Sequence, residues 1–571
     1  MGSISKSVIP KSVMQKPAIY LMIALVFLAL QPHATLSRYY FVTHDAYVVL
    51  LCVVAWVAST RWTPQIALPE SIPGAKFVVP VAIALCLALW AGTHWWMFDY
   101  PLTRDEHMAV FDAAIYADGK VAERLPEEWT GFARALVPAF LQDTPGNVLL
   151  VSGYLPVNSA MRGFFGKIAD PALMNPLLAA IGFVSLWWIA RRVFADNASA
   201  QWLVLLGYLL SAQILANGMT TYAMTGHLAL NLLWLALFLK DRWWSHALAM
   251  LVGVLAMGLH QFVFHPLFAG PFVLWLLMQK KWLHVGAYGL VYLAGVALWM
   301  SWPGIVMDWA GVVPEPGKEG GISTFLTERI LPLITQFDPL TIQYMTFNLV
   351  RGIGWNALFI LPFVIAAGPA IKRRDPIALA LLGGIVLTLV AMTILLPYQG
   401  HGWGYRYVHG LLGSFCLLAA FGYRELVNAD KKWADGAAVL LIATTALIAL
   451  PANLWSARSF TEPYVKLTQI VEARDTDYVM IDDLRHSSVV DQVRNHADLT
   501  NQPIVISRRF LTREKFMEIC ANGTVSLIDS TEIALAGLHD VPREEADAMP
   551  DPPCSIFETG SDDGLETSIT Q

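Results

Sequence analysis

The chain has 571 residues, of which 56% are hydrophobic and only 14% are charged. Soluble domains carry about a quarter of their residues as charged side chains, so this composition and a mean hydropathy of +0.51 exclude an ordinary soluble protein and indicate a polytopic α-helical membrane protein. The net charge of -6 and the absence of a basic patch argue against a nucleic-acid-binding protein.

Apolar runs of membrane-spanning length recur along most of the chain. A helix needs about 20 apolar residues to cross about 30 Å of hydrocarbon, and it hydrogen-bonds its backbone groups within its own segment. By this measure the sequence predicts about thirteen transmembrane helices, the first two of them in residues 1–76. The predicted centres are Leu28, Val53, Leu85, Gly182, Leu206, Leu233, Val254, Leu274, Ala294, Leu361, Leu387, Leu417 and Ile442.

Lysine and arginine residues are distributed unevenly among the connecting segments. They precede the first predicted span and gather in alternate connections, which the positive-inside rule assigns to the cytoplasm. The sequence therefore predicts a cytoplasmic N-terminus and a tail on the outer side. The cations are Lys6, Lys11, Lys16, Arg61, Lys76, Arg191, Arg192, Lys240, Arg242, Lys280, Lys281, Lys372, Arg373, Arg374, Lys431 and Lys432.

Long polar segments then fall on the predicted outer side, at residues 99–175, 303–344 and from 457 onward, with a short one at 398–406. A secondary transporter places its binding site near mid-membrane depth. A one-sided distribution of polar residues instead favours chemistry on a substrate presented at that surface.

Two adjacent carboxylates, Asp105 and Glu106, begin the first outer segment just after an apolar run. A carboxylate within about 3 Å of a hydroxyl is able to act as a general base. Acidic residues also favour helix N-termini, so the alternative is that both serve a helix starting near His107.

Histidines in apolar segments are a second candidate set. His260 and His265 flank four residues at the outer end of a predicted span, and His227 lies in an earlier span. Polar groups at this depth usually face a bundle interior or a cavity. Residues five apart do not share a helical face, so this pair alone is not expected to bind a metal. Substrate contact and hydrogen bonding between helices both stay open.

The sequence Tyr405-Arg406-Tyr407 stands at the outer mouth of a late span. The planar guanidinium of arginine matches phosphate oxygens and stays charged. The positive-inside rule does not explain an arginine on the outer side, which favours a functional role. The alternative is an interfacial anchor between aromatic residues. The Pro- and Gly-rich stretch 314–321 is interpreted either as a lid or as a plain connection.

The tail differs in composition from the spans. Residues 477–482, 502–507 and 524–529 are typical of short strands, and 488–498 and 512–521 of amphipathic helices, which predicts a small α/β domain at 457–543. Residues 544–571 are predicted to be disordered. Cys520 and Cys554 would form a disulfide in an oxidising compartment if the geometry permits.

These motifs and their order resemble the glycosyltransferase C superfamily, and within it the group of protein O-mannosyltransferases and lipid A aminoarabinose transferases. The resemblance rests on Asp105-Glu106, on SGYLPVNSAMRGFFG at 152–166 and on GYRY at 404–407. It covers about residues 77–450, and a membrane domain of this kind is expected at 77–456.

The resemblance implies transfer of a sugar from a polyprenyl-phosphate donor to a cell-envelope acceptor on the extracytoplasmic face, with inversion. Asp105 is implied as the base and Glu106 as its positioning neighbour. The donor phosphate is assigned to Arg406 and Tyr407, with Arg162 as a second contact. The remaining residues expected at the substrate are Tyr154, His107, His260 and His265.

Several alternatives stay open on the sequence. The acceptor is a lipid, a polysaccharide or a protein, and one carboxylate pair supplies too few ligands to specify a divalent metal. A secondary transporter, a polysaccharide ligase or polymerase of another fold, and a scaffold for the tail are the competing functions. We expect an integral protein of a bacterial inner membrane with a periplasmic C-terminal domain.

Overall fold

The computed structural model describes residues 9–32, 35–138, 140–312, 331 and 338–538. The stretch 314–321, Cys554 and the segment 544–571 lie outside these residues. The expectations of a lid, a disulfide and a disordered end therefore stay predictions.

Apolar helices make up most of the described chain, and seven of them are long and apolar enough to cross a membrane. The chain is thus an integral membrane protein. These seven are Ser12–Ala29, Leu36–Ser59, Ala75–Trp95, Pro171–Val193, Trp282–Trp309, Pro376–Leu395 and Arg406–Glu472.

Further apolar helices are bent or short. Ala198–Leu209 and Ala212–Gly218 meet at an angle of 49° and together pass the same test of length and composition. Four helices of 10–17 residues are also apolar, so the total of about thirteen spans stays a prediction. These four are Met224–Lys240, Trp243–Met257, Phe264–Met278 and Ile360–Lys372.

The chain divides into two compact units, and the larger comprises Met1–Asp99, Leu155–Ser301 and Lys318–Arg458. Its helices approach closely where a residue lacks a side chain. A Cβ atom on Gly422 would collide with the carbonyl oxygen of Phe363. Small residues allow this backbone contact between apolar helices, where van der Waals packing takes the place of a hydrophobic driving force.

The second unit comprises Tyr100–Tyr154, Trp302–Gly317 and Ser459–Gln571. Its sheet has Tyr478–Ile481 in the centre, with Ile504–Ser507 and Val525–Ile528 on either side, and all three strands are parallel. Each strand lies within a segment that the sequence predicts as a strand. A second, antiparallel pair joins Glu123–Arg124 to Leu149–Leu150.

One predicted helix of the tail is wrong. In place of a helix at 488–498 there is a 3-10 turn, Ser487–Gln492, followed by irregular chain and a second turn. The carbonyl groups of Val490 and Val493 accept hydrogen bonds from the side chain of Arg104, at 2.7 and 2.9 Å. The helix at 512–521 is observed as Arg513–Asn522, with Thr512 as its N-cap.

Helix Arg104–Ala117 of the first outer segment shares a hydrophobic core with the tail. Met108 and Phe111 from this helix join Met480 and Ile506 from the sheet in one buried cluster. Burying a side chain of this size stabilises a fold by about 1.5–3 kcal/mol. Residues 100–154 of the first outer segment and the tail therefore fold as parts of one unit.

Candidate active site

Helix Arg104–Ala117 begins with a capping box formed by Thr103 and Glu106. The Glu106 side chain is fully buried, and its Oε2 accepts a hydrogen bond from the backbone N–H of Thr103 at 3.3 Å. This arrangement satisfies backbone donors that the first helical turn leaves open. The geometry of Glu106 thus matches the capping alternative.

Two replacements of Glu106 distinguish its role as a helix cap from the role of its negative charge. Glu106→Ala should lower the stability of the protein by about 0.5–2 kcal/mol, as loss of a helix cap does. Glu106→Gln should have little effect, because glutamine also completes a capping box. The thermal unfolding midpoints of the purified variants measure the difference. Equal losses in both variants would contradict the capping role.

Asp105, one residue earlier, has a different environment. The residue is half-buried, and Oδ1 accepts a hydrogen bond from the hydroxyl of Tyr154. The backbone N–H of Tyr154 donates to Ser152 Oγ at 3.1 Å, which fixes the segment that carries the tyrosine. The structure therefore brings together two predicted site residues that are 49 positions apart.

His107 completes the predicted set on this helix. Its ring is half-buried and lies 6.1 Å from the Phe111 ring. Burial, together with the positive charges of Arg104 and Arg494, holds the pKa of His107 well below its usual range. The imidazole is therefore neutral at neutral pH and suited to hydrogen bonding rather than to binding an anion by charge.

Asp112 is a carboxyl group that the sequence analysis missed. It is 4% exposed and hydrogen-bonds with the side chain of Ser152. Burial raises the pKa of Asp112 to about 7, so this group exchanges a proton near neutrality. Its position seven residues after Asp105 places both carboxyl groups on one helical face, a spacing that the sequence displays.

A small cavity in the larger unit contains the other predicted site. It offers about 10 Å³ to the centre of a water molecule, and Arg406 and Tyr407 contribute to its wall. The further lining residues come from four different parts of the chain. They are Met224, His227, Asn231, Phe264, Thr388, Gly410 and Leu411.

Arg406 is held in place by its neighbours. Its backbone N–H donates to Gln399 Oε1 at 3.0 Å. Its guanidinium lies 5.1 Å from the centre of the Tyr407 ring, and its Nη2 donates to the Tyr407 hydroxyl at 3.3 Å. The Tyr407 ring stacks on Phe264 at 5.9 Å. These contacts fix the arginine in the cavity wall through its aromatic partner.

The loop before Arg406 requires glycine at position 404. Gly404 has a φ of 76°, and a Cβ atom there would collide with the side chain of Gln213. That side chain donates to the carbonyl of Tyr405 at 2.8 Å, and Asn217 donates to the carbonyl of Trp403 at 3.0 Å. The bent helix pair thus supplies the polar groups that hold this loop.

His227 is the most buried ionisable group in the cavity wall, at 2% exposure. Among the described residues, neither of its ring nitrogens has a hydrogen-bond partner, and the hydroxyl of Thr388 has none either. Buried polar groups are normally hydrogen-bonded. With the positive charge of Arg406 in the same wall, the chemistry of these wall groups favours contact with an anionic oxygen.

The other two histidines lie close to this wall. His265 is fully buried, with Nδ1 2.8 Å from Asn231 Oδ1 and Nε2 2.8 Å from the Tyr292 hydroxyl. Its geometry matches the alternative of hydrogen bonding between helices, and it orients the cavity residue Asn231. His260 is near enough to His227 to act on it electrostatically.

Arg162 lies in helix Val157–Ile168, where its Nη1 donates to the carbonyl of Pro171 at 3.0 Å. It is not among the residues that line the cavity of Arg406. Within the described ranges, no group of three or more histidine, cysteine or acidic side chains is arranged to hold a metal ion.

Two solved structures similar to this chain are of ArnT from Cupriavidus metallidurans. The structure bound to undecaprenyl phosphate is 14% identical over 82% of this chain and 96% of that chain, with a TM-score of 0.47. The apo structure is 13% identical over 84% and 100%, with a TM-score of 0.45. No family model and no curated protein matches the chain.

Proposed function

We propose that the protein is a membrane glycosyltransferase that moves a sugar from a polyprenyl-phosphate donor to a cell-envelope acceptor, with inversion, on the extracytoplasmic face. The observation that carries the proposal is the unequal environment of two adjacent carboxylates. Glu106 is fully buried in a helix cap, whereas Asp105 is half-buried and held by Tyr154. A carboxylate that is oriented and partly accessible is suited to accept a proton from an acceptor hydroxyl.

Asp105 acts as the base in this scheme. As the acceptor oxygen attacks the anomeric carbon, its proton passes to the Asp105 carboxylate and the bond from that carbon to the donor phosphate breaks. The tyrosine hydroxyl that donates to Asp105 Oδ1 fixes the orientation of the carboxylate. Such positioning contributes to catalysis because it avoids reorganisation during the reaction.

The leaving phosphate is assigned to the cavity of Arg406. The guanidinium neutralises the charge that develops on the phosphate, and its N–H groups match phosphate oxygens. The apolar residues Met224, Phe264 and Leu411 in the same wall fit the lipid side of the donor. With its phosphate in this cavity, the polyprenyl chain would lie along the apolar helices.

Transfer in proteoliposomes tests the proposal. Purified protein would be given a polyprenyl-phosphate donor with a radiolabelled sugar and a membrane extract that supplies acceptors. We expect label to move from the donor to an acceptor while polyprenyl phosphate is released. A secondary transporter would instead use an ion gradient to accumulate a solute and would release no polyprenyl phosphate. That outcome would overturn the proposal.

We expect His227→Phe to weaken binding of a short-chain polyprenyl phosphate by about tenfold. A hydrogen bond to a charged group contributes about 1.5–3 kcal/mol, and phenylalanine removes it while keeping an aromatic ring in the wall. Calorimetric titration of the detergent-solubilised protein measures the change. His284→Phe, a histidine outside the cavity wall, is the matched control. Equal affinities for both variants would exclude His227 from the phosphate site.

A further inference from the structure

We propose that the C-terminal part of the chain belongs to the catalytic machinery, because the turn Ser487–Gln492 and Arg494 hold helix Arg104–Ala117 and set the protonation of Asp105. The inference rests on the role proposed above for Asp105. It assigns Asp491, Arg494 and Arg104 as positioning residues.

Arg104, the neighbour of Asp105, joins the helix to the turn. Its two terminal nitrogens donate to the carbonyls of Val490 and Val493, and its Nε lies 3.5 Å from Asp491 Oδ1. The side chain is 3% exposed. Burial lowers the pKa of Arg104 to about 10, so it stays charged near neutrality. A buried guanidinium that donates to carbonyl groups at the end of one short turn is a rigid connection.

Arg494 makes the reciprocal connection from the tail. Its Nη2 donates to the carbonyl of Pro101 at 2.6 Å, and its guanidinium lies 4.2 Å from the centre of the Tyr100 ring. Its Nε donates to the carbonyl of Asp491 at 2.7 Å. The residues just before the carboxylate pair are therefore fixed to the same turn that receives Arg104.

Asp491 brings a second carboxylate near Asp105. It accepts a hydrogen bond from the backbone N–H of Arg104. Burial raises the pKa of Asp491, the charge of Asp105 raises it further, and Arg104 and Arg494 oppose both effects. This electrostatic interaction is reciprocal, so a charged Asp491 disfavours ionisation of Asp105, as like charges do.

The protonation of Asp105 thus depends on charges from two parts of the chain. Asp491 opposes its ionised form, and the cations Arg104 and Arg494, which act on Asp491 and His107, are expected to favour it. Tyr154 hydrogen-bonds to the carboxylate, and His107 is neutral. Tyr154 and Asp491 interact with Asp105 directly. The other titratable or charged groups at this helix start and on the segment packed against it are Arg104, Glu106, His107 and Arg494.

Carbodiimide labelling of Asp105 in the full-length protein tests the proposal without any substrate. The reagent activates the protonated carboxyl group, so the labelling rate, read by peptide mass spectrometry, follows the protonation of Asp105. Asp491→Asn should shift the midpoint of labelling to lower pH, because a repelling charge is removed. Arg494→Gln should shift it to higher pH, because an attracting charge is removed.

Arg474→Gln is the matched control, since Arg474 pairs with Glu532 elsewhere in the tail, at 2.6 Å. Its labelling midpoint should equal that of the wild type. If Asp491→Asn and Arg494→Gln give that same midpoint, the proposal is overturned. Shifts of both variants in one direction would likewise overturn it, since they would report a general loosening.

Hydrogen exchange provides the second measurement, and it tests whether Arg494 holds helix Arg104–Ala117 in place. Loss of the Arg494 fork should speed exchange of the amides of Arg104–Ala117 on the order of tenfold. Arg494→Lys keeps the charge, so it should speed exchange while the labelling midpoint stays near the wild-type value. Unchanged exchange in both variants would contradict the positioning role. Neither measurement requires transfer activity, so failure of the proposed reaction is detected separately.

Discussion

Replacing Asp105 by asparagine is expected to lower the rate of sugar transfer by about 10²- to 10⁴-fold, which is the usual contribution of a general base. Asparagine has nearly the same shape and still accepts a hydrogen bond from Tyr154 through its carbonyl oxygen. It has no basic oxygen to receive the proton of an acceptor hydroxyl. The loss should therefore appear in the maximal rate, with little change in donor affinity or in the thermal unfolding midpoint.

Asp118→Asn provides the control for this experiment. Asp118 is an exposed acid directly after the same helix, and its replacement should leave transfer near the wild-type rate. Initial rates at saturating labelled donor compare the variants. A wild-type rate for Asp105→Asn would remove this residue from the reaction and return the carboxylate pair to its alternative role at the helix start.

Features set by local sequence were predicted well. The membrane class follows from composition, and the three strands of the tail lie in the segments where apolar residues alternate with turn residues. A helix start was anticipated as the alternative role of the acidic pair, although the helix begins at Arg104 rather than near His107. Each of these features depends on residues within a few positions of one another, and a sequence displays that range directly.

Features set by distant contacts were not predicted. The segment 488–498 has a helical pattern, but Arg104, almost 400 positions earlier, binds its carbonyls and a 3-10 turn forms instead. In the same way, Thr388 reaches the cavity of Arg406 from a helix that is apolar apart from Thr388 and Thr393. An isolated polar residue in an apolar run does not indicate which partners the fold brings to it.

Asp112 was not predicted as a functional residue for a different reason. A lone acidic residue in an amphipathic helix is usually solvated. Burial raises the pKa of Asp112 to about 7, and the hydrogen bond with Ser152 opposes this effect. The spacing of seven residues from Asp105 was visible in the sequence. The sequence does not show which face of helix Arg104–Ala117 packs into the core. That face is known only from the folded unit, in which Met108 and Phe111 are buried.

Replacing Arg406 by glutamine is expected to lower the ratio kcat/KM for the donor by about 100-fold or more. Truncating one partner of a buried, hydrogen-bonded charge pair costs about 2–5 kcal/mol, and each 1.4 kcal/mol is about tenfold. In the proposed scheme the guanidinium faces the donor phosphate before and after the bond breaks. Both donor affinity and the maximal rate should therefore fall, unlike the pattern for Asp105→Asn.

Arg406→Lys and Arg373→Gln make this experiment specific. Lysine keeps the charge but lacks the planar fork, so its activity should lie between those of the wild type and Arg406→Gln. Arg373 forms an exposed pair with Glu425, and its loss should leave transfer unchanged. If glutamine and lysine at position 406 both retain wild-type donor affinity, Arg406 is an interfacial anchor. The donor phosphate would then bind elsewhere, and the cavity lined by His227 and Thr388 would bind another anion.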